Sequence, residues 1–366
     1  MSLLERLHPQ IFDIAPYQPG LPEAEVRRLH QLDRVDKLAS NENPLGCGAL
    51  VQRALSESLD SVHRYPEGDA PLLKRALAEA LSVEPECIVL GNGSNEVLEL
   101  AAQLWVHPGR NVVVSDHAFV VYRLAALGRG GAVRSIAARD FAHDLEAMAE
   151  AVDDQTGVVF IANPNNPTGT CAGAGAIWEL LNAVPDDVLV VLDEAYSEYA
   201  RALRPDYPDS LELLRSHRNL VVTRTFSKIH GLAALRVGYA LCAPELAEVF
   251  NRVRQPFNVN HLAQLAAAAA LADAEHQERS LRCNAEGLDQ LCAGFGALGL
   301  EWIPSAGNFV TVHLGGRSGD IYQRLLQRGL AVRELGAAYQ MPDHLRITVG
   351  AEGQNARLLR ALESLL

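Results

Sequence analysis

A chain of 366 residues, 48% of them hydrophobic, is long enough to fold into more than one packed unit around a substantial core. Its formal net charge of −13 leaves no general basic face for nucleic acid or an anionic membrane surface, so anionic ligands must be met by individual arginines and lysines. Six cysteines (Cys47, Cys87, Cys171, Cys242, Cys283 and Cys292) lack CxxC or histidine-rich spacing; they read as thiols of a reducing cytoplasm, and no metal is expected.

The amino-terminal MSLLERLHPQIFDIAPYQPG has no cationic segment followed by a long apolar core, so no secretory signal is expected. Pro9, Pro16, Pro19 and Pro22 suggest an arm laid over another surface. DAPLLKRALAEAL, begun by Asp69 and Pro71, sets Leu73, Ala76, Leu77, Ala80 and Leu81 at helical spacing. ECIVLGNGSNEVLELAAQLW reads as a short strand, a glycine-bearing turn and an amphipathic helix with Val97, Ala101 and Leu104 on one face. Ser94 is the expected N-cap, and the free N–H groups of the first turn would cradle an anion. Gly91 and Gly93 also begin a dinucleotide fingerprint. Glu96 stands at its third glycine position and Asp116 follows twenty residues later, so a nicotinamide dehydrogenase stays in view.

Three near-continuous apolar runs follow, the pattern of strands covered on both faces. In GVVFIANPNNPTG, Asn163 comes after residues 158–162; in VLVVLDEAYSEY, Asp193 comes after residues 188–192, with Tyr196 three residues on. In NLVVTRTFSK, Lys228 follows residues 220–226, and Arg236 comes eight residues later. Ligands of such sheets bind at the carboxyl ends of the strands, so an amide, a carboxylate and a lysine converge on one crevice. Lysine forms Schiff bases, which suits a covalently held, phosphorylated cofactor. An ionised Asp193 would keep a pyridine nitrogen protonated, and Asn163 and Tyr196 could hydrogen-bond a phenolic oxygen on the ring. Further on, the alanine-rich residues 262–274 are too short to span a bilayer and read as a packed helix. A long helix, the strand NFVTVHL, a helix over 320–327 and the strand LRITV then form a smaller α+β lobe. The expected organisation is an arm with part of the small domain in 1–45, a large cofactor-binding domain in 46–270 and a small domain in 271–366.

Nine stretches occur in an order that resembles a known family: SNENPLG, RYPEG, GNGSNE, NPNNPTG, DEAYSEY, RTFSK, LRVGY, PFNVN and LRITVG. They resemble the fold-type I pyridoxal-phosphate aminotransferases of the class I/II group, and within it the histidinol-phosphate aminotransferases. The resemblance implies an α/β fold with a mostly parallel mixed sheet flanked by helices, plus a smaller α+β domain. It implies Lys228 as the Schiff-base lysine and as the base that moves a proton between Cα and C4′, with Asp193, Asn163 and Tyr196 holding the ring. Gly93, Ser94, Ser227 and Arg236 would bind the phosphate, with Asn95 nearby, and Phe119 would stack on the pyridine. Tyr65 would reach the cofactor phosphate of a second subunit, making the site a property of a homodimer. Arg346 would grip the α-carboxylate of glutamate; Arg333 and Tyr17, with Asn163 alongside, would take the phosphate ester of the other substrate.

The implied reaction is transamination between L-histidinol phosphate and 2-oxoglutarate, giving imidazole acetol phosphate and L-glutamate in a ping-pong scheme. An aromatic amino acid aminotransferase and a phosphothreonine-type decarboxylase are the alternatives on the same scaffold. Three positions depart from the pattern. Glu334 stands where many relatives have proline, and Phe119 where many have tyrosine. His230 replaces the usual aromatic after the lysine and is either a proton shuttle or a packed ring.

Overall fold

The computed structural model describes residues 3–16 and 20–366. The three apolar runs form Thr156–Ala162, Leu189–Asp193 and Leu220–Thr225, each buried at every position. They occupy the middle of a seven-stranded sheet. From one edge its order is Ile88–Gly91, Gly238–Cys242, Leu220–Thr225, Leu189–Asp193, Thr156–Ala162, Asn111–Ser115 and Ala132–Ile136. All neighbours are parallel except Gly238–Cys242, which runs antiparallel to both strands beside it.

Alternating side chains of the same strands feed two separate cores, which is why these runs carry no polar face. Val190, Leu192 and Val222 pack with Leu73, Leu77 and Ala266 on one side; Val191, Phe160 and Val221 pack with Leu98, Ala101 and Phe250 on the other. The helix expected over the alanine-rich stretch is His261–Leu271, and it belongs to the first of these layers.

A second sheet, antiparallel throughout, has the order Arg333–Glu334, His344–Thr348, Phe309–His313 and Glu301–Ile303. Helices Ala274–Ala297 and Glu352–Glu363 cover it through Leu291, Phe295, Leu358 and Leu362. The early residues Val26 and Val35 cluster with Leu326 and Ala331, and Asp36–Lys37 pairs in parallel with Leu330–Ala331. Part of the amino-terminal region thus packs with the carboxyl-terminal lobe.

Two helix starts differ from the sequence reading. Ser94 is the first residue of Ser94–Trp105 rather than its cap; the N-cap is Gly93, at φ 75°. Pro71–Leu81 begins on Ala70 in a left-handed conformation, while Asp69 pairs with Arg254 at 3.0 Å. At the second of these a tertiary contact takes the side chain that local capping preference would have used.

Candidate active site

Because Ile88–Gly91 and the central parallel strands point the same way, their carboxyl ends open on one side of the sheet. Gly91 pairs there with Gly238, at the amino end of the antiparallel strand. This register sets the turn before Ser94–Trp105 against Arg236, from far along the chain. A Cβ on Gly93 would lie 2.5 Å from Arg236 Nη2, so only glycine lets the guanidinium rest on the first helical turn. Arg236 Nη1 donates to the Ala233 carbonyl at 3.0 Å and to Ser227 Oγ at 3.4 Å. Ser94, Asn95, Thr225, Ser227 and Arg236 line a cavity of about 280 Å³. Free helix N–H groups, hydroxyls and a guanidinium make an anion cradle. Glu96 Oε2 instead accepts from Asn92 N and Asn258 Nδ2, both at 2.6 Å, so the third fingerprint position closes its turn.

Asp193 ends its strand in the same cavity, 4% exposed. Its Oδ2 accepts from the Tyr122 hydroxyl at 2.8 Å and its Oδ1 from Thr223 Oγ1 at 3.1 Å. Burial pushes the carboxyl above its ordinary range, while these two hydroxyls and the Ala195 N–H oppose the shift. Among the described residues no ammonium or guanidinium forms an ion pair with it. Tyr122 is itself fixed by stacking on Phe160, 4.9 Å between centroids at 4°, and Phe119 meets Tyr122 edge-on at 5.8 Å while lining the cavity.

Lys228 Nζ donates to the Ser40 carbonyl at 3.2 Å and lies 5.5 Å from the centroid of the Tyr196 ring. Burial, reinforced by the charges of Arg346 and Arg236 and opposed by Glu42 and Asp193, pushes its ammonium down to about 7. The Tyr196 hydroxyl accepts from Asn41 Nδ2 at 2.9 Å, and burial pushes it up to about 12. Asn41 gives the SNENPLG motif a role that spacing could not reveal: it holds the Tyr196 hydroxyl, and its own backbone N–H donates to Thr348 of the smaller lobe.

Asn163 is a correction. It is buried at 1% exposure outside the cavity wall, its Oδ1 accepting from Ala172 N at 2.8 Å and its Nδ2 donating to Ala172 O at 3.1 Å. With both amide atoms used inside its own loop, the residue shapes that loop. Asn166, three residues later, lines the cavity and accepts from Arg346 Nη1.

Arg346 is 5% exposed, donates from Nη2 to the Ala39 carbonyl at 2.6 Å and sits 5.4 Å from the Phe309 ring centroid. Arg333 faces it as its register partner on the neighbouring antiparallel strand, and both line the cavity. Tyr339, which the sequence did not single out, completes that wall. Tyr17 lies outside the described residues. Tyr65 is 83% exposed, stacks on Phe257 at 5.0 Å and does not line its own chain's cavity. Glu334 points to solvent. His230 is a packed ring, 4.8 Å from Phe226, and burial pushes its imidazole down to about 4.

A lysine near neutrality, a buried carboxylate and an anion cradle around one cavity are the parts of a pyridoxal-phosphate site. The model of the family described as Aminotransferase class I and II matches residues 34–365. The chain belongs to the class I and II aminotransferases. The aminotransferase is 50% identical to histidinol-phosphate aminotransferase 2 of Pseudomonas fluorescens (strain Pf0-1), over 100% of this chain and 98% of the relative. Its fold matches the crystal structure of histidinol-phosphate aminotransferase from Sinorhizobium meliloti in complex with pyridoxal-5′-phosphate, with TM-score 0.90, 29% identity and full coverage of both chains. L-threonine-O-3-phosphate decarboxylase from Porphyromonas gingivalis has TM-score 0.80 at 24% identity, over 90% of this chain and 99% of the other, a likeness of fold alone.

Family membership sets aside the dehydrogenase alternative, and the site fits pyridoxal 5′-phosphate on its own geometry. The close approach allowed by Gly93 leaves the cradle to an anion, the buried Asp193 suits a protonated ring nitrogen, and Lys228 is the amine beside them. No helix among the described residues is long and apolar enough to cross a membrane, and no group of three or more His, Cys, Asp or Glu among them could hold a metal ion.

Proposed function

We infer that this aminotransferase moves the amino group of L-histidinol phosphate to 2-oxoglutarate, giving imidazole acetol phosphate and L-glutamate by a ping-pong sequence. The observation that carries this reading is the Arg333–Arg346 pair. Two like charges directly opposite on antiparallel strands are destabilising, and both border the cavity, so an anionic substrate is what the arrangement suits. Relatives of half-identical sequence carry the same activity in their names.

Pyridoxal phosphate, when bound, supplies an aldehyde for the substrate amine and a ring that accepts the electron pair left at Cα. The chain supplies the rest. Lys228, poised near 7, is the amine that would hold the aldehyde and that would move a proton between Cα and C4′. Asp193, oriented by Tyr122 and Thr223, would keep the ring nitrogen protonated, and Tyr196 and Asn166, which line the same cavity, would hydrogen-bond the ring's phenolic oxygen. Ser94, Asn95, Thr225, Ser227 and Arg236 hold the phosphate and so fix the reacting carbon relative to Lys228. Arg346 takes the carboxylate of glutamate, and Arg333 with Tyr17 takes the phosphate ester.

A homodimer with shared sites belongs to the same reading. Leu50, Leu59, Val62, Tyr65, Leu72 and Phe257 are exposed large hydrophobics on nearby stretches of one chain, a surface that a second copy would cover. Six free cysteines fit a reducing cytoplasm.

The test is a half-reaction screen. Enzyme in the pyridoxamine form is mixed in turn with imidazole acetol phosphate, phenylpyruvate and 2-oxoglutarate, and the return of the bound-aldehyde absorbance is followed. Fast return with the first and third alone is expected. Return with phenylpyruvate at equal efficiency would favour the aromatic aminotransferase, and release of carbon dioxide from O-phosphothreonine added to the aldehyde-form enzyme the decarboxylase. Arg333→Gln should lower kcat/KM for histidinol phosphate by about tenfold or more, the loss of a charged hydrogen bond, and that for glutamate much less. Equal losses would undo the assignment.

A further inference from the structure

His117 takes no part in the chemistry above, yet three segments of the cavity wall meet on it. It sits two residues before Phe119 in a left-handed backbone conformation, φ 57°, unusual for a side chain with a Cβ. That conformation lets it act in two directions. Its carbonyl accepts from Asn165 Nδ2 at 3.2 Å, in the loop that delivers Asn166. Its Nδ1 lies 2.6 Å from the carbonyl of Tyr339, across the seam between the two lobes. A carbonyl only accepts, so Nδ1 carries the proton and donates.

Tyr339 ends the one-turn helix Gly336–Tyr339, in the same short segment of the smaller lobe that begins with Arg333. Both residues line the cavity, and Leu335, Tyr339 and Met341 pack with Ile303 as one small cluster. A second seam contact lies beside the first, with Phe141 edge-on to His344 at 5.2 Å at the start of the strand that bears Arg346. Among the described residues, the His117 contact is a directional hydrogen bond from the large lobe to this segment's backbone.

We propose that His117 is a positioning residue for substrate, holding Tyr339, and through its segment Arg333, against the cavity by donating from Nδ1 to the Tyr339 carbonyl. The proposal rests on the reading of Arg333 and Arg346 as the substrate-binding pair. It predicts an effect on substrate affinity that leaves the cofactor in place, because the Schiff-base lysine and the anion cradle are built entirely from the large lobe.

Three variants of the holoenzyme test it. His117→Asn keeps a donor near the Nδ1 position and tolerates the left-handed backbone; His117→Asp has similar shape and no donor; His117→Gly relaxes the backbone and removes the side chain. The readouts are amide hydrogen exchange over residues 335–341, where the Tyr339, Gln340 and Met341 N–H groups are bonded within the segment, and the KM for histidinol phosphate. In the Asp and Gly variants exchange should speed up, and KM rise, by about fivefold to tenfold, the loss of one hydrogen bond, with kcat and bound-cofactor absorbance changing less. The Asn variant should stay within about twofold of the parent. Wild-type exchange and KM in both donor-free variants, or an Asn variant as impaired as Gly, would overturn the proposal. If the parent enzyme shows no transamination, the functional reading fails while the exchange pattern still decides the role of His117.

Discussion

Lys228 works by being easy to deprotonate. Below about pH 7 its ammonium form holds no lone pair for the aldehyde, so reconstitution of apoenzyme with pyridoxal phosphate should accelerate as pH rises through that value. Arg346 is the largest charge contribution to the downward shift; Arg346→Gln removes it and should move the midpoint to higher pH. An unchanged midpoint in stopped-flow absorbance would show that burial alone sets the lysine. The two asparagines of NPNNPTG separate in a different way. Asn166→Ala should cut kcat/KM by about tenfold or more with little change in stability. Asn163→Ala should leave the Ala172 N–H without its partner and cost about 1–3 kcal/mol in denaturant unfolding. The sequence could not choose between them, because both precede proline in one rigid loop and only the fold decides which faces inward. Lys228 and Asp193 were legible because each follows an unbroken apolar run, and such runs end at the crevice. Tyr122, Thr223 and Asn41 were not, since their roles come from contacts across distant segments.

At the scale of elements, the turn into helix Ser94–Trp105 shows how local preference yields to tertiary demand. A serine after two glycines reads as a cap, yet the cap is Gly93, because a guanidinium from another loop occupies the space a Cβ would fill. Gly93→Ala should therefore weaken cofactor affinity by about tenfold, combining left-handed strain of roughly 1–2 kcal/mol with displacement of Arg236. Titration of apoenzyme by fluorescence checks it; an alanine variant of wild-type affinity would mean the cradle relaxes freely. The large strands, the alanine-rich helix and the late α+β elements were readable from period and length. Helix starts and the two-residue pairing of Asp36–Lys37 with Leu330–Ala331 were not, because short elements carry too little pattern to register.

The whole molecule is expected to lose stability in mild acid. His230 and His143 are both buried and pushed down to about 4, whereas an unfolded chain titrates them near 6.5. Between those values the unfolded state binds protons that the native state refuses, so the contribution is intact above about 6.5 and lost as pH falls toward 4. The shift at His230 corresponds to about 3 kcal/mol, and His230→Phe, which keeps an aromatic ring against Phe226, should flatten the acid limb of stability measured by urea unfolding. A variant with the same pH dependence as the parent would place the acid sensitivity elsewhere.

The antiparallel strand Gly238–Cys242 joins Ile88–Gly91 to Leu220–Thr225, so the two halves of the phosphate cradle are neighbours only once that strand is in place. A ribosome that has made the first glycine-bearing turn has still to add Arg236 and the strand behind it before any anion can be gripped. Vitamin capture is thus tied to the synthesis of Gly238–Cys242, and the nascent polypeptide cannot be loaded while only its first glycine-bearing turn exists.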